Sequence, residues 1–192
     1  LYRTIDGKET IVPVDIYCGI DPASSLTARS DFFVIAVIAI DSESNKYIVD
    51  IVREKIDPAY QPESIINIYK KYKPKRIRIE TTGYQEALRS NVRKMMLEQK
   101  LYIPGLEKGI KPRNRKSERL MSLVPMLARG EFFFRNVDII PQQEFLSYPR
   151  GKHDDVLDAI YYAVHNVQPA RLKSLDGVIV KKQNKVLDWM TL

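Results

Sequence analysis

The chain has 192 residues and a formal net charge of +7, from 31 Lys and Arg against 24 Asp and Glu. That length suits one domain with a sizeable core, and the basic excess points to a polyanionic partner, of which nucleic acid is the commonest. A single cysteine, Cys18, excludes an internal disulfide and a cysteine zinc cluster, and no apolar run reaches the roughly 20 residues of a membrane span.

The first predicted element is "DIYCGID", Asp15 to Asp21, a short apolar strand that ends in an acid before "PASS". "FFVIAVIAID" is a continuous β-branched run, the pattern of a strand buried on both faces. After the turn "SESN", "KYIVDIVREKI" alternates and pairs as the next antiparallel strand. A helix follows from about Pro62, with Ile65, Ile66 and Tyr69 on one face. "RIRIE", Arg76 to Glu80, is a strand that also ends in an acid. "YQEALRSNVRKMMLEQK" reads as a helix and "LYIPGL" as a short strand. "RKSERLMSLVPMLARG" reads as one helix closing at Gly130 and kinked at Pro125. "EFFFR" is a candidate strand, "IPQQEFLSY" a short helix, and "HDDVLDAIYYAVHNV" a helix with a buried face. Three meandering strands followed by strand–helix alternation predict an α/β fold, with a central mixed β-sheet flanked by helices. The domain is expected over 1–168. The segment 169–192, polar and basic, reads as a C-terminal tail with a hairpin signal at Asp176-Gly177.

The last helix raises a physical problem. Asp154, Asp155 and Asp158 crowd three charges into five residues beside apolar Val156, Leu157, Ala159 and Ile160. One of them serves readily as a helix cap. Asp158 is not explained that way. It shares a face with its partners, at Cβ separations of roughly 5–6 Å, where like charges repel. A nearby cation resolves the conflict. Asp21 and Glu80 each end a strand before small or turn-forming residues, and adjacent strand ends in an open α/β sheet meet at one crevice. If the last helix crosses that crevice, carboxylates from distant parts of the chain share one pocket. Such a cluster is costly to keep ionised without cations. Oxygen ligands without Cys or His support select Mg²⁺ or Mn²⁺ over zinc. On a basic chain, the leading use of that site is phosphodiester hydrolysis with two metals about 3.5–4 Å apart.

The positive charge is local. Lys108, Lys111, Arg113, Arg115, Lys116 and Arg119 lie in "KGIKPRNRKSER", which reads as a loop entering a helix and suits a phosphate backbone. Lys152, beside the aspartates, joins them as a candidate DNA contact. "KKYKPKRIR", Lys70 to Arg78, is a second cluster and serves equally as a solvated face.

"GIDPA", "RIRIETTG" and "GKHDDVLDAIYYAV", in that order, resemble the three acidic motifs of the nuclease domain of tailed-phage terminase large subunits. The resemblance runs from about Val14 to Val167, with "RNRKSERLMSLVPMLARGEFFF" similar to that family's basic helix segment. It implies a ribonuclease H-like fold and a Mg²⁺- or Mn²⁺-dependent endonuclease that cuts double-stranded DNA during genome packaging. By that likeness Asp21 bridges the metals, Glu80 is the second acid, Asp154 or Asp155 the third, and Asp158 the last acid of the motif. Asp31 matches a further acid common after "DPA". The resemblance further implies an N-terminal ATPase, a small terminase subunit and a portal protein as partners, in the cytoplasm of an infected bacterial host. The chain starts at Leu1 and carries no G-x-x-x-x-G-K-[ST] loop, so an isolated nuclease domain of a longer protein is expected. A Holliday-junction resolvase would use the same acids on a branched substrate. A non-enzymatic basic DNA-binding module would use them only as caps and surface charges.

Overall fold

The computed structural model describes residues 1–5, 8–24, 32–80, 84–106, 109–110, 115–135, 137–151, 153–167 and 189–191. In chain order the elements are β1 (Tyr2–Ile5), β2 (Lys8–Ile11), β3 (Val14–Asp21), β4 (Phe33–Asp41), β5 (Lys46–Glu54), α1 (Gln61–Tyr72), β6 (Arg76–Ile79), α2 (Tyr84–Glu98), α3 (Lys116–Met121), α4 (Val124–Ala128), β7 (Phe132–Arg135), α5 (Ile139–Ser147), α6 (Asp155–Val164) and β8 (Trp189–Thr191). The sheet order is β6-β3-β4-β5-β7-β8, while β1 and β2 pair separately as an antiparallel hairpin. β3, β4 and β5 form the antiparallel meander, and β6 and β7 add in parallel beside β3 and β5.

β4 carries the organisation, because all of its residues are buried. Its alternation divides them between two cores. Val34, Ala36, Ile38 and Ile40 join the cluster that contains α6, Leu120, Leu123, Phe132 and Phe134. Phe33, Ile35 and Val37 join Ile65, Ile66, Leu88 and Val92 of α1 and α2. A strand wet on one face would carry polar residues at every second position; this one has none before Asp41. Each large branched side chain so buried contributes roughly 1.5–3 kcal/mol relative to exposure.

Several elements differ from the sequence expectation. The helix expected from Arg115 to Gly130 is two short ones, α3 and α4, broken at Ser122 and Leu123. Pro125 has no N–H to continue a helix, and it sits in the first turn of α4, where none is needed. "LYIPGL" is not a strand. Ile77 donates its N–H to the Pro104 carbonyl at 2.8 Å, but Pro104 cannot donate in return and Gly105 turns away at φ 92°. The β1–β2 hairpin was not anticipated, although "DG" between two β-rich stretches is its usual turn signal. Of the expected tail, 169–188 and 192 lie outside the described residues, and Trp189–Thr191 pair antiparallel with β7.

Candidate active site

The parallel register of β3 and β6 builds the first half of the site. Ile20 pairs with Ile79, so the next residues, Asp21 and Glu80, stand side by side at the same end of the sheet. Glu80 is held there by a bridge to Ile110, through the Ile110 N–H bonded to the Ile79 carbonyl at 2.9 Å.

α6 supplies the second half. It is buried along its whole length and lies on β3 at unusually short range. Gly19 makes this possible. A Cβ built there would fall 1.9 Å from the Ala159 carbonyl oxygen and 2.4 Å from the Ala163 nitrogen, both backbone atoms. Ala159 and Ala163 are one turn apart, so two small residues meet a glycine and the helix backbone rests on the strand backbone. Asp155 continues that row toward the helix N-terminus, and Asp158 and Tyr162 form the neighbouring row. Asp155 and Asp158 are both 3% exposed, while the Asp154 side chain, at the N-cap, is 35% exposed.

Two cations answer the repulsion anticipated from the sequence. Lys116 Nζ lies 2.8 Å from Asp154 Oδ1 and 2.7 Å from Asp158 Oδ2. Arg119 Nη2 lies 3.2 Å from Asp158 Oδ1 and 3.8 Å from Glu80 Oε2. The Tyr162 hydroxyl donates to Glu80 Oε2. The compensation is incomplete. Burial raises the Asp21 carboxyl well above its ordinary value, the Asp158 charge adds to that, Lys116 partly offsets it, and Asp155 and Glu80 raise it further. Burial alone would lower the Lys116 ammonium, but its hydrogen bonds to Asp154 and Asp158 outweigh that and raise it. Burial, then the bond to Glu80, keeps the Tyr162 hydroxyl protonated.

Asp21, Glu80, Asp154, Asp155 and Asp158 thus gather at one end of the sheet. Asp31, Lys108, Lys111, Arg113 and Lys152 lie outside the described residues. Of the remaining basic candidates, Arg115 is exposed at the start of α3, whereas Lys116 and Arg119 face the acids and are held by carboxylates. The second basic cluster is occupied structurally. Lys71 pairs with Asp50 at 3.0 Å and Lys75 with Asp15 at 2.7 Å, while Arg76 and Arg78 donate to the Asn166 and His165 carbonyls beyond the C-terminus of α6. Sequence reasoning missed Gly19, Tyr162 and Glu144. A glycine inside a strand pattern was the available signal for the first, since it marks a close backbone approach. Tyr162 and Glu144 carry no such signal, because their roles depend on elements distant in the chain.

Among the described residues, no group of three or more acidic, histidine or cysteine side chains is already arranged to hold a metal ion. The chemistry of the donor set nevertheless fits a hard divalent cation. It is carboxylate oxygen, with Asp155 and Asp158 buried, and burial and then the Asp158 charge push Asp21 upward.

The mixed sheet with helices on both faces is a ribonuclease H-like fold, and the chain is a nuclease domain of that class. The chain belongs to the Terminase RNaseH-like domain family, whose sequence profile matches residues 18–167. No curated protein matches it. Solved structures similar to the chain include the yeast mitochondrial Holliday junction resolvase Ydc2, at 17% identity and a TM-score of 0.48 over 81% of this chain and 80% of that one. RuvC of T. thermophilus in complex with a Holliday junction substrate is similar at 11% identity and 0.42, over 78% and 90%. The fowlpox virus Holliday junction resolvase is similar at 9% identity and 0.44, over 78% and 94%.

Proposed function

We propose that the domain is a Mg²⁺- or Mn²⁺-dependent endonuclease for double-stranded DNA, acting as the cutting part of a phage DNA-packaging terminase in the cytoplasm of an infected bacterium. On this reading its partners are an ATPase motor, a small terminase subunit and a portal protein. The observation that carries the proposal is the meeting of Asp21, Glu80, Asp155 and Asp158 at one sheet end, where burial first and then the Asp158 charge raise the Asp21 carboxyl. Those acids would hold the metals. Asp155 is favoured over Asp154, because it is buried and its charge reaches Asp21. The chemistry supplied by a bound pair of such ions is activation of the attacking water and stabilisation of the leaving oxygen.

The chain's own residues do the rest. Tyr162 and Arg119 orient the Glu80 carboxylate. Lys116, with 46% of its side chain exposed, can exchange its carboxylates for a phosphate arriving from solvent. Arg115, with Lys108, Lys111, Arg113 and Lys152, would hold the DNA backbone against a pocket that itself repels it. Incubation with supercoiled plasmid tests the reading. Nicked and then linear DNA is expected with Mn²⁺, and EDTA stops the reaction. Plasmid that stays intact at protein concentrations sufficient to bind it would reduce the domain to a DNA-binding module. Resolution of a four-way junction in preference to cutting of linear duplex would redirect the substrate to branched DNA.

A further inference from the structure

α6 begins without a cap of its own. Asp154 occupies the N-cap position, yet its side chain accepts no hydrogen bond from the first turn; it faces Lys116 instead. The N–H groups of a first helical turn have no intrahelical partner and are costly to bury unsatisfied. Here two of them are satisfied from another element. Glu144 of α5 turns Oε2 to the Val156 N–H at 3.0 Å and to the Leu157 N–H at 3.3 Å. Its side chain is 7% exposed, and its second oxygen, Oε1, has no hydrogen-bond partner among the described residues but lies 3.8 Å from Arg53 Nε at the end of β5. Arg53 is in turn stacked on Phe32, 3.6 Å from the ring centroid, and Phe32 meets His153 edge-on. One Glu144 oxygen that accepts two N–H bonds therefore ties that end of α6 to α5, with Arg53 of β5 beside it.

We propose that Glu144 is a positioning residue for the acid site, capping α6 from outside so that the turn bearing Asp155 and Asp158 is held at a set height and rotation. The arrangement has a chemical consequence. An aspartate that caps its own helix turns its carboxylate back onto the backbone. With Glu144 in that role, Asp154 faces the site. The proposal rests on the reading that these acids bind metal, where residues that orient ligands typically contribute 10–100-fold in affinity, roughly speaking.

Three variants of the full chain test it. Glu144→Gln keeps an acceptor oxygen, Glu144→Met keeps volume without one, and Glu144→Ala keeps neither. Three quantities are read: amide exchange at Val156 and Leu157 without metal, Mn²⁺ affinity by calorimetry, and kcat and KM on plasmid. In the Met and Ala variants exchange at those two amides should accelerate selectively. Their Mn²⁺ affinity should fall by about tenfold or more, and kcat should fall with KM for DNA unchanged. The Gln variant should recover all three. Recovery by Met as well as by Gln would mean that Glu144 only fills space, and would overturn the proposal. So would melting temperatures that fall while Mn²⁺ affinity and kcat stay at wild-type values. If the wild-type chain binds no Mn²⁺, the metal reading fails, and amide exchange accelerated by Met and Ala and restored by Gln alone still decides whether Glu144 caps α6.

Discussion

Asp21→Asn should abolish DNA cleavage while leaving the fold intact. The substitution keeps the size and shape of the side chain and removes the charge at the point where β3, β6 and α6 meet. No neighbour replaces it: Glu80 is bonded to Tyr162, and Asp158 is shared between Lys116 and Arg119. Loss of one metal-holding carboxylate removes several kcal/mol of transition-state stabilisation, so a rate reduction on the order of 10³-fold or more is expected. Stability should move the other way. In the metal-free protein the Asp21 carboxyl titrates above its ordinary value, through burial first and then the Asp158 charge. A carboxyl raised in the folded state favours folding when protonated. Its contribution is therefore full below about pH 4 and is lost as pH rises through its folded value. Asp21→Asn should remove that loss, melting higher than wild type at neutral pH without metal and similarly in acid. Calorimetry at several pH values with and without EDTA checks the stability arm, and the plasmid assay checks the rate. Cleavage retained by Asp21→Asn would take this residue out of the mechanism.

Gly19→Ala should damage both stability and activity. The added methyl would meet the Ala159 oxygen at 1.9 Å and the Ala163 nitrogen at 2.4 Å. These are helix backbone atoms, so no side-chain rotation relieves the clash; α6 itself must lift from β3. Overpacking of this kind costs roughly 1–3 kcal/mol, and in a domain of this size each kcal/mol lowers Tm by about 2–4 °C. Because α6 carries Asp155 and Asp158, its displacement separates them from Asp21 and Glu80. A misplacement of about 1 Å at a catalytic site can cost 10²-fold in rate. Thermal melts with parallel plasmid assays separate the two variants: Asp21→Asn loses activity without losing stability, and Gly19→Ala loses both. Wild-type melting and cleavage by Gly19→Ala would show that α6 does not rest on β3 as described.

The acids were legible because they obey local rules. Asp21 and Glu80 end apolar strands, and the Asp154, Asp155 and Asp158 spacing puts like charges on one helix face beside a core. Buried β4 was equally plain, since a run without polar alternation has one economical place in a sheet. What stayed hidden depends on partners far along the chain. Nothing near Glu144 says that it caps a helix starting eleven residues later. Lys116 and Arg119 read as phosphate contacts because charge density is visible in a sequence, whereas the direction a side chain faces is not; folding turns both toward the acids. The same limit applies to Arg76 and Arg78, whose guanidinium groups serve the far end of α6. Gly19 stood in view within "CGID", and its meaning was lost because a strand glycine reports a close approach without saying what approaches.

The central claim is that divalent metal binds among Asp21, Glu80, Asp155 and Asp158. Crystals grown with Mn²⁺ and measured by anomalous scattering at its absorption edge test it most directly. The account predicts a peak in contact with Asp21 and shared with at least one acid of α6, and Lys116 Nζ drawn back from the 2.7 Å it now keeps to Asp158. Under conditions in which the protein cuts DNA, an acid cluster without a peak, with Lys116 still paired to Asp154 and Asp158, would contradict it.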